Sequence, residues 1–195
     1  MKIKICGLFR SEDIEYANKL RPDYIGFVFY EHSKRFVSPA KAAELKAALV
    51  PQIKAVGVFV NAEIEYVLSC VSCGIIDIIQ LHGSESEAYI TELKAQTTVP
   101  IIKAGSYADL ANASTGADFL LFDSPSPGSG KAFDWSSISG AAKPYFLAGG
   151  INTQNIEQAI ALAPYGIDVS SGAEREGVKD FELMSKIINK VRGED

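Results

Sequence analysis

Three side chains at the ends of apolar runs could do chemistry in this chain: Cys6 closes KIKIC, Asp123 follows DFLLF, and Arg35 sits between Lys34 and Phe36. A thiolate whose pKa is lowered by a cation or a helix terminus can take a proton as general base. A carboxyl at the end of a buried strand is partly desolvated, which favours its neutral form and lets it act as general acid. The planar fork of Arg suits a carboxylate. An acid and a base facing each other across a pocket suit an isomerisation that moves protons. Each residue also has an ordinary reading. A lone cysteine is often a small buried hydrophobe, an Asp caps a helix or pairs with a lysine such as Lys131, and an Arg is solvated.

Two glycine strings add an anion site. AGGIN at 148–152 and VSSG at 169–172 contribute Gly149, Gly150, Ser170, Ser171 and Gly172. Glycine lets backbone N–H groups approach a ligand closely, and serine hydroxyls add donors. One such turn means little, but two in consecutive units favour phosphate. His82, after the run IIDIIQL, serves as a hydrogen-bonding residue or as a pocket wall.

These residues need a scaffold that brings strand ends together. Short apolar runs predict strands at 2–6, 24–29, 54–60, 76–81, 99–104, 118–123, 144–148 and 166–169. Ala-, Leu-, Glu- and Lys-rich segments predict helices at 11–20, 39–49, 62–73, 85–96, 107–113, 135–141, 152–163 and 180–191. Ser11 with Asp13, Ser38 before Pro39, Asn61, Ser84 and Asn152 supply the expected helix starts. Strands that are nearly all apolar are buried on both faces, as in a parallel sheet covered by helices. Eight alternating pairs give an α/β chain folded as a single compact (β/α)8 TIM barrel, one domain over residues 1–195. Each unit takes about 24 residues, which is short for this fold. In such a barrel the working residues stand at the C-terminal ends of the strands, where all those named above fall. An open doubly wound sheet is the competitor, but no GxGxxG follows the first strand.

Composition narrows the function. The formal charge is −5, with 19 Lys and Arg against 24 Asp and Glu, and no basic run stands out, so nucleic acid is not expected as a partner. No apolar stretch reaches membrane-spanning length and no secretory leader is read, so no membrane partner is expected and the location is cytoplasmic. Cys6, Cys70 and Cys73 are then free thiols. Cys70 and Cys73 are expected on the outside of the third helix in a structural role. With two histidines and a single CxxC, no metal site is expected.

Taken in order, KICGLFR (4–10), SKRFVSP (33–39), GVFVN (57–61), QLHG (80–83), LLFDS (120–124), GSGKAFDW (128–135), LAGGIN (147–152) and DVSSGAE with GVKD (168–180) resemble the phosphoribosylanthranilate isomerase family of tryptophan biosynthesis. The resemblance runs essentially the whole chain. It implies a compact ribulose-phosphate-binding barrel without cofactor or metal. It also implies the Amadori rearrangement of N-(5′-phosphoribosyl)anthranilate to 1-(2-carboxyphenylamino)-1-deoxyribulose 5-phosphate. By resemblance Cys6 is the base, Asp123 the acid and Arg35 the ligand of the anthranilate carboxylate. Gly149, Gly150, Ser170, Ser171 and Gly172 match the phosphate loops. Gly128, Gly130 and Lys131 match a substrate-covering loop, although SPSPGSGK departs from the family's more usual Gly-Gly-Thr-Gly-Lys type. Arg10 and Asp168 have supporting roles. The partner is a small phosphorylated substrate, and the chain is a monomer or homodimer. Two alternatives compete: another phosphosugar enzyme on the same fold, such as a histidine-pathway isomerase, and a catalytically silent phosphate-binding barrel.

Overall fold

The computed structural model describes residues 1–111, 113–124, 135, 138 and 140–194. Eight parallel strands follow in order: β1 (Lys2–Cys6), β2 (Tyr24–Val28), β3 (Lys54–Phe59), β4 (Ile78–Leu81), β5 (Ile101–Gly105), β6 (Phe119–Phe122), β7 (Tyr145–Leu147) and β8 (Gly166–Val169). Each pairs with the next, and β8 pairs with β1 (Ile5 opposite Val169), so the barrel closes and no edge is left open.

The period-two alternation of the strands sorts their side chains between two cores. On β3, Ala55 and Phe59 point to the layer beneath the helices, while Val56 points into the lumen with Ile78, Ile102, Leu121 and Phe146. The floor of the lumen is aromatic. Tyr24, Phe119 and Tyr165 pack on Phe146 with ring centroids 5.6, 6.0 and 5.3 Å away. The Tyr24 and Tyr165 hydroxyls hydrogen-bond to each other at 3.1 Å. This floor fills one end of the barrel lumen.

Seven helices cover the outside: α1 (Ser11–Leu20), α2 (Pro39–Ala48), α3 (Ile64–Ser72), α4 (Glu87–Gln96), α5 (Tyr107–Leu110), α6 (Ile156–Ala161) and α7 (Phe181–Arg192), counted among the described residues. α7 shows why they form. Met184, Ile187, Ile188 and Val191 repeat at helical spacing and are buried, the Asp180 side chain accepts from Leu183 N–H at 2.9 Å, and Gly193 ends the helix at φ 69°.

The expected starts hold only in part. Ser38 caps α2 as expected, by accepting from Lys41 N–H at 3.3 Å. Ser11 and Asp13 stand in the first turn of α1, as expected, and Asp13 accepts the N–H groups of Phe9 and Arg10, both at 3.0 Å. Ser86, not Ser84, caps α4. Asn61 and Asn152 spend their side chains on loops. Asn61 Oδ1 accepts from Ser84 N–H at 2.8 Å, and Asn152 Oδ1 from Gln154 N–H at 2.8 Å, so α3 and α6 start later than their apolar pattern suggests. Of the helix expected at 135–141, Ser136, Ser137 and Ser139 lie outside the described residues. Within it Ile138 N–H bonds to the Trp135 carbonyl at 3.0 Å, and Gly140 and Ala141 are not helical. A two-stranded hairpin, β9 (Glu174–Arg175) and β10 (Val178–Lys179), was not anticipated. Cys70 also corrects the expectation, because it faces the core and only Cys73 is exposed. Among the described residues no helix is long and apolar enough to cross a membrane.

Candidate active site

A cavity of about 600 Å3 opens at the C-terminal end of the strands. Its lining includes Cys6, Arg35, His82, Asp123, Gly149, Gly150, Ser170 and Ser171, so one site gathers most of the residues chosen from the sequence. Gly172 does not line it. A Cβ at Gly172 would collide with the Ile151 carbonyl, so this glycine lets the loops after β7 and β8 pack backbone to backbone. Gly128 and Gly130 lie outside the described residues.

Cys6 is the last residue of β1 and is buried. Lys4 shares its face of the strand two residues earlier, inside the lumen, and is fully buried. Lys4 Nζ stands 3.0 Å from both carboxylate oxygens of Asp168 on β8. The thiol and the ammonium crowd one spot: a Cβ on Gly26 of β2 would lie 2.7 Å from Cys6 Sγ and 3.3 Å from Lys4 Nζ. Burial pushes the Cys6 thiol above its ordinary 9.0, Lys4 opposes the rise, and the Asp168 charge adds to it. For Lys4, burial alone would favour the neutral amine, but Asp168 and Cys6 together outweigh it and hold the ammonium above its ordinary range. The lumen thus keeps a cation beside the thiol.

Asp123 directly follows β6. Its Oδ1 accepts from Ser124 N–H at 2.7 Å, and its Oδ2 lies 3.2 Å from His82 Nε2. Gln80 Nε2 meets His82 Nδ1 at 3.0 Å. An amide NH2 can only donate, so Nδ1 accepts and the imidazole proton sits on Nε2, facing Asp123. That approach is off the hydrogen-bonding direction, and His82 Nε2 and Gln80 Oε1 are left as buried polar atoms without a hydrogen-bond partner among the described residues. The loop carrying His82 is tied from below. Glu85 accepts from the N–H groups of Asn61 and Gly83, and Lys103 Nζ donates to Glu85 and to the Gly83 carbonyl, each at 2.7 Å.

Arg35, in the loop after β2, is not an isolated cation. Its Nε and Nη2 donate to the two oxygens of Glu174, both at 2.6 Å. Lys179, fully buried on β10, closes on the same carboxylate and donates to the Ser170 carbonyl at 3.1 Å. Burial opposes ionisation of Glu174, yet the hydrogen bond from Arg35 and the Lys179 charge prevail and hold it below its ordinary 4.5. Burial also pulls Lys179 below its ordinary value, against Glu174.

The two glycine- and serine-containing loops are tight turns. Gly149 and Gly150 turn the chain at φ 85° and 67°, and Ser170 and Ser171 lead into one 3-10 turn, Ser171–Ala173. The N–H groups of Gly149, Gly150 and Ser171 meet no acceptor among the described residues, and all three residues line the cavity. The Asn152 and Asn155 amides both donate to the Gly150 carbonyl, at 3.2 and 3.0 Å, and fix that loop.

Sequence reading missed Lys4, Glu174, Lys179 and Glu85. Lys4 carries a signal: a Lys inside an apolar strand, as in KIKIC, is buried only when paired, so it implies an acid nearby, whereas Lys179 stands in no such run. Glu174 and Glu85 carry none.

A closed barrel with a thiol, a carboxyl and paired anion loops around one mouth defines a (β/α)8-barrel enzyme of the phosphosugar type. Likeness to known proteins narrows this further. The family model described as N-(5′-phosphoribosyl)anthranilate (PRA) isomerase matches residues 3–190. The N-(5′-phosphoribosyl)anthranilate isomerase of Endomicrobium trichonymphae is 45% identical over 197 residues, covering 98% of this chain and 96% of its own. The crystal structure of phosphoribosyl anthranilate isomerase from Thermotoga maritima superposes with a TM-score of 0.88 at 32% identity and 99% coverage of both chains. A further structure, at TM-score 0.84, 32% identity and 99% coverage of both chains, is of such an isomerase in complex with reduced 1-(o-carboxyphenylamino)-1-deoxyribulose 5-phosphate. The chain belongs to the N-(5′-phosphoribosyl)anthranilate isomerase family.

Proposed function

We propose that Cys6 and Asp123 divide the proton transfers by which this chain, an isomerase of tryptophan biosynthesis, converts N-(5′-phosphoribosyl)anthranilate to 1-(2-carboxyphenylamino)-1-deoxyribulose 5-phosphate. The observation that carries this reading is the single cavity. It holds a thiol and a carboxyl from β1 and β6, on opposite arcs of the barrel, with anion donors from the loops after β2, β7 and β8.

Asp123 protonates the furanose ring oxygen, and the C1′–O bond breaks to give the iminium. The carboxylate left behind accepts Ser124 N–H and faces the N–H of His82, which eases the transfer. Cys6 then removes the C2′ proton. The C–H electron pair flows into the iminium, so the substrate itself is the electron sink and an enolamine forms. Tautomerisation gives the ketone. Lys4 supplies the counter-charge for the thiolate. Arg35 takes the anthranilate carboxylate, and the N–H groups of Gly149, Gly150 and Ser171, with the serine hydroxyls, take the phosphate. Every one of these residues comes from one chain, so a monomer or a homodimer serves equally. The cytoplasm is the compartment in which its three free thiols persist.

The test is loss of anthranilate fluorescence when the enzyme is added to substrate generated in situ. Rapid loss with the wild type and none with Cys6→Ala/Asp123→Asn supports the assignment. Loss at the wild-type rate with the double variant overturns it.

A further inference from the structure

Arg35 is held by one edge only. Its Nε and Nη2 each give a hydrogen bond to Glu174, while Nη1 and the second Nη2 proton have no partner among the described residues, in a side chain that lines the cavity. A guanidinium has five N–H donors in a rigid plane. With the Nε–Nη2 edge occupied, the Nη1–Nη2 edge remains as a second, end-on fork that matches a carboxylate. The stem is fixed too, because it crosses Gly7, where a Cβ would collide with it.

Glu174 is fixed in turn. Lys179 closes on it and is fully buried, and the Lys179 carbonyl accepts from Arg10 Nη2 at 3.0 Å. Lys179 Nζ also donates to the Ser170 carbonyl, in the loop whose Ser170 and Ser171 line the cavity. Two cations on one carboxylate leave one net positive charge for the ligand. The chain Arg35–Glu174–Lys179–Ser170 therefore joins the carboxylate-binding end of the cavity to the phosphate-binding end. Ser170 Oγ donates to the Cys6 carbonyl at 3.2 Å, which ties the relay to the strand that carries the thiol.

We infer that Glu174 is the positioning residue for recognition of the substrate carboxylate: it clamps Arg35 by one edge and so presents the other as the binding fork. Without the clamp Arg35 keeps its charge but gains rotamers, and an unfixed fork binds less well than a fixed one. This inference rests on Arg35 being the carboxylate ligand, so the experiment tests the two separately.

The probes are the reduced product, 1-(2-carboxyphenylamino)-1-deoxyribitol 5-phosphate, and its phenylamino counterpart without the carboxyl group. Their dissociation constants are measured by calorimetry for wild type, Arg35→Met, Glu174→Gln and Glu174→Asp, each verified as folded by circular dichroism. Glu174→Gln is expected to weaken the carboxylated ligand about tenfold, the worth of a charge-assisted hydrogen bond. It should weaken the phenylamino ligand distinctly less and raise KM with little change in kcat. Glu174→Asp should recover part of the loss, and it carries the same comparison if the Gln variant does not fold. Equal weakening of both ligands, or of neither, by the Glu174 variants overturns the inference, because a merely structural role does not sense the carboxyl group. If Arg35→Met weakens both ligands equally, the assignment of Arg35 itself fails, whatever Glu174 does.

Discussion

Arg35, Glu174 and Lys179 close on one another on one side of the cavity, whereas across it His82 Nε2 and Gln80 Oε1 are buried without hydrogen-bond partners among the described residues. Two cations closed on one carboxylate hold one another in place, and rigidity serves binding at fixed positions. Unpaired buried polar atoms are costly, and here they lie beside Asp123, the proposed general acid. On the roles proposed above, the difference separates two tasks in one cavity: the ion-paired side is assigned to the anionic ends of the substrate, and the other side to the changing charge of Asp123.

The largest expected break is on the proton-transfer side. Asp123→Asn or Cys6→Ala should lower kcat by about a thousandfold, as removing a general acid or base does, with KM little changed. Steady-state kinetics checks this, and a loss confined to KM would move these residues to the binding side.

Next comes the packing beneath the anion loops. In Gly172→Ala the added methyl meets the Ile151 carbonyl, and the two loops must separate. Such overpacking costs about 1–3 kcal/mol. A lower midpoint in urea unfolding and weaker inhibition by inorganic phosphate are expected together. An unchanged phosphate affinity would show that the loops bind independently of their contact.

The thiol sharpens the comparison through pH. Burial holds Cys6 above 9.0 in the folded enzyme, so the thiolate fraction, and with it kcat/KM, rises as pH increases toward that pKa. Lys4 lowers the thiol pKa, and removing it also leaves the Asp168 charge uncompensated; both effects push the pKa higher. Lys4→Met should therefore move the rising limb to higher pH. Activity at neutral pH should then fall about tenfold for every pH unit the limb travels. Iodoacetamide labelling rates across pH follow the same displacement directly. A profile that does not move would separate Lys4 from the thiol.

The smallest effect is at Gln80. Gln80→Leu removes the donor that fixes the His82 tautomer, and kcat should fall about fivefold, the worth of one neutral hydrogen bond of about 1 kcal/mol.

What the sequence made legible follows the same division. Strand ends were readable because apolar runs stop where the barrel meets the cavity, and β1 and β8 fall on the same residues, 2–6 and 166–169, as their patterns predict. Cys6, Asp123, Arg35 and His82 were readable as reactive types at those stops, and all four line the cavity. Glu174 was not, because it follows one 3-10 turn and enters a two-residue strand, too short for any periodicity to place its side chain. Gly172 was readable as a glycine, but its reason, the approach of Ile151 from another loop, exists only in three dimensions. The asparagines misled because Asn61 and Asn152 bond to loop backbone as readily as they cap a helix.

The division of labour between Asp123 and Cys6 is tested most directly with substrate deuterated at C2′, by comparing turnover of labelled and unlabelled material in wild type, Asp123→Asn and Cys6→Ser. Slowing ring opening should make it rate-limiting, so the isotope effect of Asp123→Asn falls toward one. Slowing proton removal should make that step rate-limiting, so the effect of Cys6→Ser is at least as large as the wild-type value. An isotope effect lost in Cys6→Ser and retained in Asp123→Asn would reverse the two roles and contradict the assignment.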